Sequence, residues 1–156
     1  MNKTNAMRIL DKLNITYDVV TYEVDENDLS GVHAAKLLHI PCDEMFKTLV
    51  LRDDKNELFV CCIPVAEELD LKKAAKAGNH KNAALIHVKE LQSLTGYIRG
   101  GCSPIGMKKQ LPTFIDETCI LFDRIYISAG IRGCSLLMET GKLIDYCQAK
   151  VVELCK

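Results

Sequence analysis

The alternation of apolar and polar residues divides the chain into short helices and strands. Ala6, Ile9, Leu10 and Leu13 recur at helical spacing behind Thr4, which predicts an amphipathic helix capped by that threonine and ending near Asn14. Residues 15–24 are rich in β-branched and aromatic side chains and predict a strand, followed by an acidic loop over 25–28. Ser30 caps a second helix, with Val32, Ala35 and Leu38 on its inner stripe and Pro41 as its stop. Residues 46–51 and 58–63 read as two buried strands joined by a turn at Asp53-Asp54-Lys55-Asn56. Asp70 caps a helix over 71–77 that Gly78 closes. A short strand over 83–86 follows, then a helix over 88–94 with Gly96 as its C-cap. Beyond Pro112, strands are expected over 113–116, 120–122, 125–128, 134–138 and 150–154, with Thr140 capping a helix through Tyr146. Short strands interleaved with helices imply an α/β or α+β domain, a mixed sheet flanked by helices. A chain of 156 residues without linker, repeat or low-complexity tract is expected to be one domain over 1–156.

The periodicity lapses over 95–116, T-G-Y-I-R-G-G-C-S-P-I-G-M-K-K-Q-L-P-T-F-I-D, which holds four of the nine glycines and two of the four prolines. A segment so composed is neither helix nor central strand. It is either a rigid turn or a loop that presents backbone N–H groups to a ligand, with Arg99, Lys108 and Lys109 as flanking donors. A second glycine turn, A-G-I-R-G, follows at 129–133. Neither has phosphate-loop or dinucleotide spacing.

Charge sharpens this picture. Residues 72–109 carry eight basic side chains against one acid, Glu90, a balance of +7; the rest of a chain of overall charge −1 therefore carries −8. Lys72, Lys73 and Lys76 alone would be a solvated helix face, but with Arg99, Lys108 and Lys109 they suggest a face for a polyanion, most simply a nucleic acid. The opening residues 1–13 are polar and periodic, and no run approaches the ~20 apolar residues of a membrane span. With eight scattered cysteines lacking any C-x-x-C pair, this points to a cytoplasmic protein without disulfides. None of His33, His39, His80 or His87 has a partner at zinc-ligand spacing, so no metal and no cofactor are expected.

Candidate chemistry is sparse. No G-x-S-x-G and no nucleophile–histidine pair are visible. Lys47 shares a strand face with Leu49 and Leu51, where its ammonium must reach either water or an anion. Together with the two glycine turns it can frame a pocket whose main-chain N–H groups polarise a carbonyl, catalysis without a side-chain nucleophile.

Four collinear stretches, F-K-T-L-V at 46–50, P-V-A-E-E-L-D-L-K-K-A-A-K at 64–76, the glycine loop at 95–116 and I-Y-I-S-A-G-I-R-G at 125–133, closely resemble the YbaK/EbsC family of aminoacyl-tRNA deacylases. The nearest likeness is to freestanding Cys-tRNA(Pro) deacylases, relatives of the editing domain of bacterial prolyl-tRNA synthetases. The resemblance implies cleavage of the ester between a wrongly attached amino acid and the 3′ adenosine of tRNA. It places Lys47 at the tRNA end with Thr48 beside it, and Gly101 at the aminoacyl carbonyl. Ser128 and Gly130 fall in a turn that reads S-A-G here where relatives have S-G-G. Tyr22, Gly100, Ser103 and Arg132 fall at substrate-binding positions. Where relatives carry an aspartate after R-G-L, this chain reads R-G-C-S and has Ser135. For a cysteinyl substrate the implied mechanism is substrate-assisted, the substrate's own thiol attacking its ester, and Cys102 is then a bystander. The implied partners are aminoacylated tRNA and prolyl-tRNA synthetase, with no DNA and no membrane. A non-catalytic tRNA- or synthetase-binding module, and a deacylase for another aminoacyl group such as Ala-tRNA(Pro), are the alternatives.

Overall fold

A computed structural model of the chain describes residues 2–156; Met1, the first residue of the segment read above as polar and periodic, lies outside them. The elements run α1 (Asn5–Lys12), β1 (Tyr17–Thr21), α2 (Gly31–Leu38), β2 (Phe46–Asp53), β3 (Leu58–Pro64), α3 (Leu71–Ala77) and β4 (Ala83–Leu85), then α4 (Val88–Thr95), β5 (Thr113–Asp116), β6 (Arg124–Ser128), β7 (Cys134–Glu139), α5 (Thr140–Cys147) and β8 (Lys150–Val152). They form the expected mixed α/β fold, with the strands divided between two sheets. One has the order β1-β7-β6 and is antiparallel throughout; the other, β4-β2-β3-β5-β8, is antiparallel from β4 to β3 and parallel from β3 to β8.

Period-two alternation on β2 and β3 gives the larger sheet two apolar faces. Phe46, Val50, Val60 and Cys62 face the main core, shared with α1, the three-stranded sheet and the glycine loop through Ile105 and Leu111. Leu51, Phe59, Cys61 and Ile63 face the opposite way, where Ala74 of α3 covers them. Burying four large side chains per face at ~25 cal/mol per Å2 makes this alternation the main register constraint. Local caps form as expected where the chemistry is local: Thr4, Ser30 and Asp70 each accept main-chain N–H groups at the starts of α1, α2 and α3.

Several expectations are corrected. Residues 120–122 are not a strand: Glu117–Leu121 is a 3-10 helix, started by the Asp116 carboxylate accepting from the N–H and hydroxyl of Thr118. Only Cys119 of that turn is buried, and Ile120 and Leu121 face outward. On α1 the buried residues are Ala6, Met7 and Leu10, because Leu13 is the C-cap and swings out. On α2 Ala34 and Ala35 are buried while Val32 is exposed. Thr140 does not cap α5 but opens it, and its hydroxyl donates to the Phe122 carbonyl at 2.7 Å. The first strand spans only Tyr17–Thr21 and the last only Lys150–Val152.

Asp116 ties β5 and the 3-10 turn to the segment after β8, since its other oxygen accepts from the buried Leu154 N–H at 2.9 Å. Burial pushes its carboxyl up, but the hydrogen bonds from Thr118 and Leu154 outweigh it and hold the pKa below the ordinary carboxylate value. A depressed folded pKa contributes stability above the unfolded value of about 3.9, lost as pH falls through the folded one. Asp116→Ala is therefore expected to cost about 1–3 kcal/mol at neutral pH, chiefly by orphaning the buried Leu154 N–H. Urea unfolding at neutral and acid pH checks this: the wild-type advantage should shrink as Asp116 becomes protonated.

Candidate active site

Strand β2 pairs with β3 along its length, but its other edge is fastened only near its ends. Met45, just before β2, forms a parallel bridge with Tyr126 of β6. Leu51, Arg52 and Asp53 pair with β4, and the Ile86 N–H donates to the Val50 carbonyl at 3.1 Å. Between these fastenings β6 turns away into the other sheet. The N–H and C=O of one residue in an antiparallel strand point to the same side. Those of Val50 point to β4, so those of Thr48, two residues earlier, point into the gap. A cavity of about 520 Å3 fills it. Its walls are β2 from Phe46 to Val50, the ends of β6 and β7 at Ser128 and Ser135, the glycine loop at Arg99, Gly100 and Cys102, and Tyr22 with the start of α2.

Lys47, Thr48, Ser128, Tyr22, Gly100 and Arg99 thus converge on one cavity. Lys47 is half-buried, and among the described residues no carboxylate lies within ion-pair distance of its ammonium and no acceptor within hydrogen-bond distance. A half-buried cation without a counter-charge is costly unless something in the cavity supplies one. Tyr22 is half-buried too, and burial raises its phenol pKa. The Cys102 thiol borders the cavity with a pKa pushed up to about 12 by burial, so at neutral pH it is a thiol and not a thiolate nucleophile. Ser135 is buried at the cavity wall and cross-strand from Ser128.

Gly101, Gly130, Ser103 and Arg132 do not line this cavity. The Gly101 N–H donates to the Ile98 carbonyl at 3.0 Å, and the Gly130 N–H to Ser128 Oγ at 3.1 Å. Both glycines instead allow close approach. A Cβ on Gly101 would stand 3.2 Å from the backbone of Ile131 and Arg132; one on Gly130, at φ +103°, would stand 3.0 Å from the Tyr97 ring. Arg132 Nε donates to the Arg99 carbonyl at 2.8 Å, and the buried Ser103 Oγ accepts from the Ile105 N–H at 3.2 Å. These residues form a frame that locks the two glycine turns together. Gly100 and Cys102 border the cavity, and neither main-chain N–H has an acceptor among the described residues.

The basic block separates in space. Arg99 borders the cavity, and Lys108 and Lys109 are exposed on the same loop, the Lys108 ammonium donating to the Ser93 carbonyl at 3.3 Å. The α3 lysines lie across the larger sheet: Lys72 and Lys76 line a separate groove with Lys81, while Lys73 is held by Glu153 and the Cys155 carbonyl, both at 2.6 Å. Asp53, Glu57 and His80 bring ligand atoms within 4.8 Å of one another. The Asp53 carboxylate already holds the β2–β3 turn, accepting from the Lys55 and Glu57 N–H groups, and lies 2.8 Å from His80 Nδ1. All eight cysteines are free. Among the described residues no helix is long and apolar enough to cross a membrane.

The sequence pattern of the aminoacyl-tRNA editing domain matches residues 28–146. An Enterococcus faecalis protein, EbsC, provisionally named as a Cys-tRNA(Pro)/Cys-tRNA(Cys) deacylase, is 40% identical over 152 residues, 97% of this chain and 93% of its own. An uncharacterised Bacillus subtilis protein, YwhH, is 21% identical over 89% of this chain and 87% of its own. A crystal structure described provisionally as a trans-editing enzyme for prolyl-tRNA synthetase superposes with a TM-score of 0.81, covering 100% of this chain and 99% of its own at 20% identity. The hypothetical protein APE2540 superposes at 0.86 over 96% of this chain and 97% of its own, at 19% identity. On the family match and the 40%-identical relative, this chain belongs to the aminoacyl-tRNA editing domain family, in its YbaK/EbsC deacylase group.

Proposed function

We propose that the chain, as a single editing domain, removes cysteine from Cys-tRNA(Pro) by substrate-assisted cleavage in the cavity beside β2. The observation that carries this reading is the absence of a histidine or carboxylate base among the described residues lining that cavity: nothing of that kind stands there to activate the hydroxyls of Ser30, Thr48, Ser128 or Ser135, and Cys102 is a high-pKa thiol. The attacking atom then has to come from the substrate or from water. A cysteinyl ester carries its own: its sulfur bonds to the carbonyl carbon, the bond to the ribose oxygen breaks, the thiol proton ends on that oxygen, and water opens the cyclic thioester. The protein's part is positioning and charge stabilisation. Lys47 supplies the positive charge at the tRNA end, Gly100 and Cys102 the N–H groups nearest the developing oxyanion, and Thr48 and Tyr22 the side walls. Gly101, Ser103, Gly130 and Arg132 hold these groups in place. Arg99, Lys108 and Lys109 would meet acceptor-end phosphates, while Lys72 and Lys76, across the sheet, would reach only a more distant part of the tRNA. A prolyl-tRNA synthetase would supply part of the tRNA selectivity, consistent with the description of one structural relative.

Binding without turnover is the competing reading, favoured by Ser135 at the aspartate position. A deacylation panel with Cys-, Ala-, Ser- and Pro-tRNA(Pro) decides between them. Cys-tRNA(Pro) should be cleaved at least ~10-fold faster than the others, the scale on which pockets discriminate small side chains. S-methylation of the cysteinyl group should reduce cleavage to the uncatalysed rate. Equal cleavage of the methylated ester removes the substrate-assisted step, and a panel inert throughout leaves only the binding module.

A further inference from the structure

The cavity is much larger than the group it would release. About 520 Å3 lies within the range of roughly 300–1,000 Å3 that accommodates a drug-sized ligand, and a cysteinyl group fills a fraction of it. The polar groups named above cluster at the end formed by β6, β7 and the glycine loop. The other end is aliphatic: Leu85, the last residue of β4, and Val88, the first of α4, border the cavity with Ile86 and Leu91 behind them. Leu85 is 51% exposed and Val88 60%, so two large apolar side chains stand open on a wall that none of the other described residues covers. Facing into the same gap is the open edge of β2, where Thr48 presents one main-chain donor and one acceptor side by side.

We infer that this end holds the base of the terminal nucleoside whose ribose carries the ester. The inference rests on the proposed function, because an aminoacyl ester of tRNA brings a nucleoside with it. The chemistry of the site narrows the occupant: flat apolar faces suit the Leu85–Val88 wall, and an amino group next to a ring nitrogen, as on adenine, matches the adjacent carbonyl and N–H of Thr48. Thr48 therefore acts on the base through its backbone, and the aliphatic wall determines how far the ester enters.

The test uses the full chain and cysteinylated RNA minihelices charged by a ribozyme, so that the terminal base can be varied. With a terminal adenosine, Val88→Asp and Leu85→Ser should each raise KM about 10-fold, the order of one buried aliphatic contact, with kcat within about 3-fold of wild type. A minihelix ending in purine riboside, which lacks the amino group, should show a similar rise in KM with the wild-type protein. An unchanged KM for both variants, or equal KM for the two terminal bases, overturns the base site while leaving the deacylase reading standing. A wild-type protein that cleaves no cysteinylated minihelix overturns that reading, and the base site with it.

Discussion

Lys47→Met should leave the protein folded and nearly inactive. Methionine keeps the length of the aliphatic stem and removes only the ammonium, so the packing of β2 between β3 and the cavity is retained. Because the side chain is half-buried and forms no hydrogen bond or ion pair with the described residues, its removal takes no partner away from the fold. Thermal or urea unfolding should therefore change by less than about 1 kcal/mol. If the ammonium holds the tRNA terminus and offsets charge near the ester, kcat/KM for Cys-tRNA should fall at least ~10²-fold, the usual size of a lost positioning or charge-stabilising contact. Near-normal turnover by this variant would mean that Lys47 only extends its ammonium to water, and the cavity would lose its principal cation. Lys47→Arg sharpens the result: charge is kept, but a planar fork replaces a point donor, and an intermediate rate is expected.

How legible the molecule was depended on how local the deciding chemistry is. Helix α3 appears with the limits read from Asp70 and Gly78, because a cap is a contact between residues two or three apart. Lys47 was singled out by alternation within a single strand. The break in pairing that makes its surroundings a site was not visible, since it depends on β6 and β4 reaching the same edge of β2 from distant parts of the chain. Ile120 and Leu121 read as strand because they are apolar, yet the Asp116 cap turns them outward. The basic block is contiguous in sequence, but the larger sheet passes between α3 and the glycine loop. Glycines carried the deepest ambiguity: a missing Cβ indicates close approach without saying to what. Gly101 closes on Ile131 and Arg132, and the residues that line the cavity are its neighbours Gly100 and Cys102.

That distinction gives the second large expected effect. Gly101→Ala retains the main-chain N–H, so a glycine acting only as a donor to the substrate carbonyl would tolerate the change with little loss. The geometry here predicts otherwise. The new Cβ meets the Ile131 Cα, the Ile131 carbonyl carbon and the Arg132 nitrogen, all at 3.2 Å and all backbone, so no side-chain rotation relieves the contact. The two glycine turns must separate by a few tenths of an ångström, which strains the Arg132 bond to the Arg99 carbonyl and moves Gly100 and Cys102 relative to Lys47. Overpacking of this kind costs about 1–3 kcal/mol, and misplacing the groups around a reacting ester by a fraction of an ångström can cost up to ~10²-fold in rate. Gly101→Ala should therefore lose stability and kcat together, with KM changed less than kcat because the tRNA-facing cations stay in place. Alanine at Gly100 would meet only ordinary contacts at 3.5 Å, but its φ of +85° is one an L side chain rarely adopts, so it should also cost about 1–2 kcal/mol, through backbone strain and not through overpacking. A Gly101→Ala protein with wild-type stability and turnover would show that the turns have room to spare, and the frame assigned to Gly101, Gly130 and Arg132 would not hold.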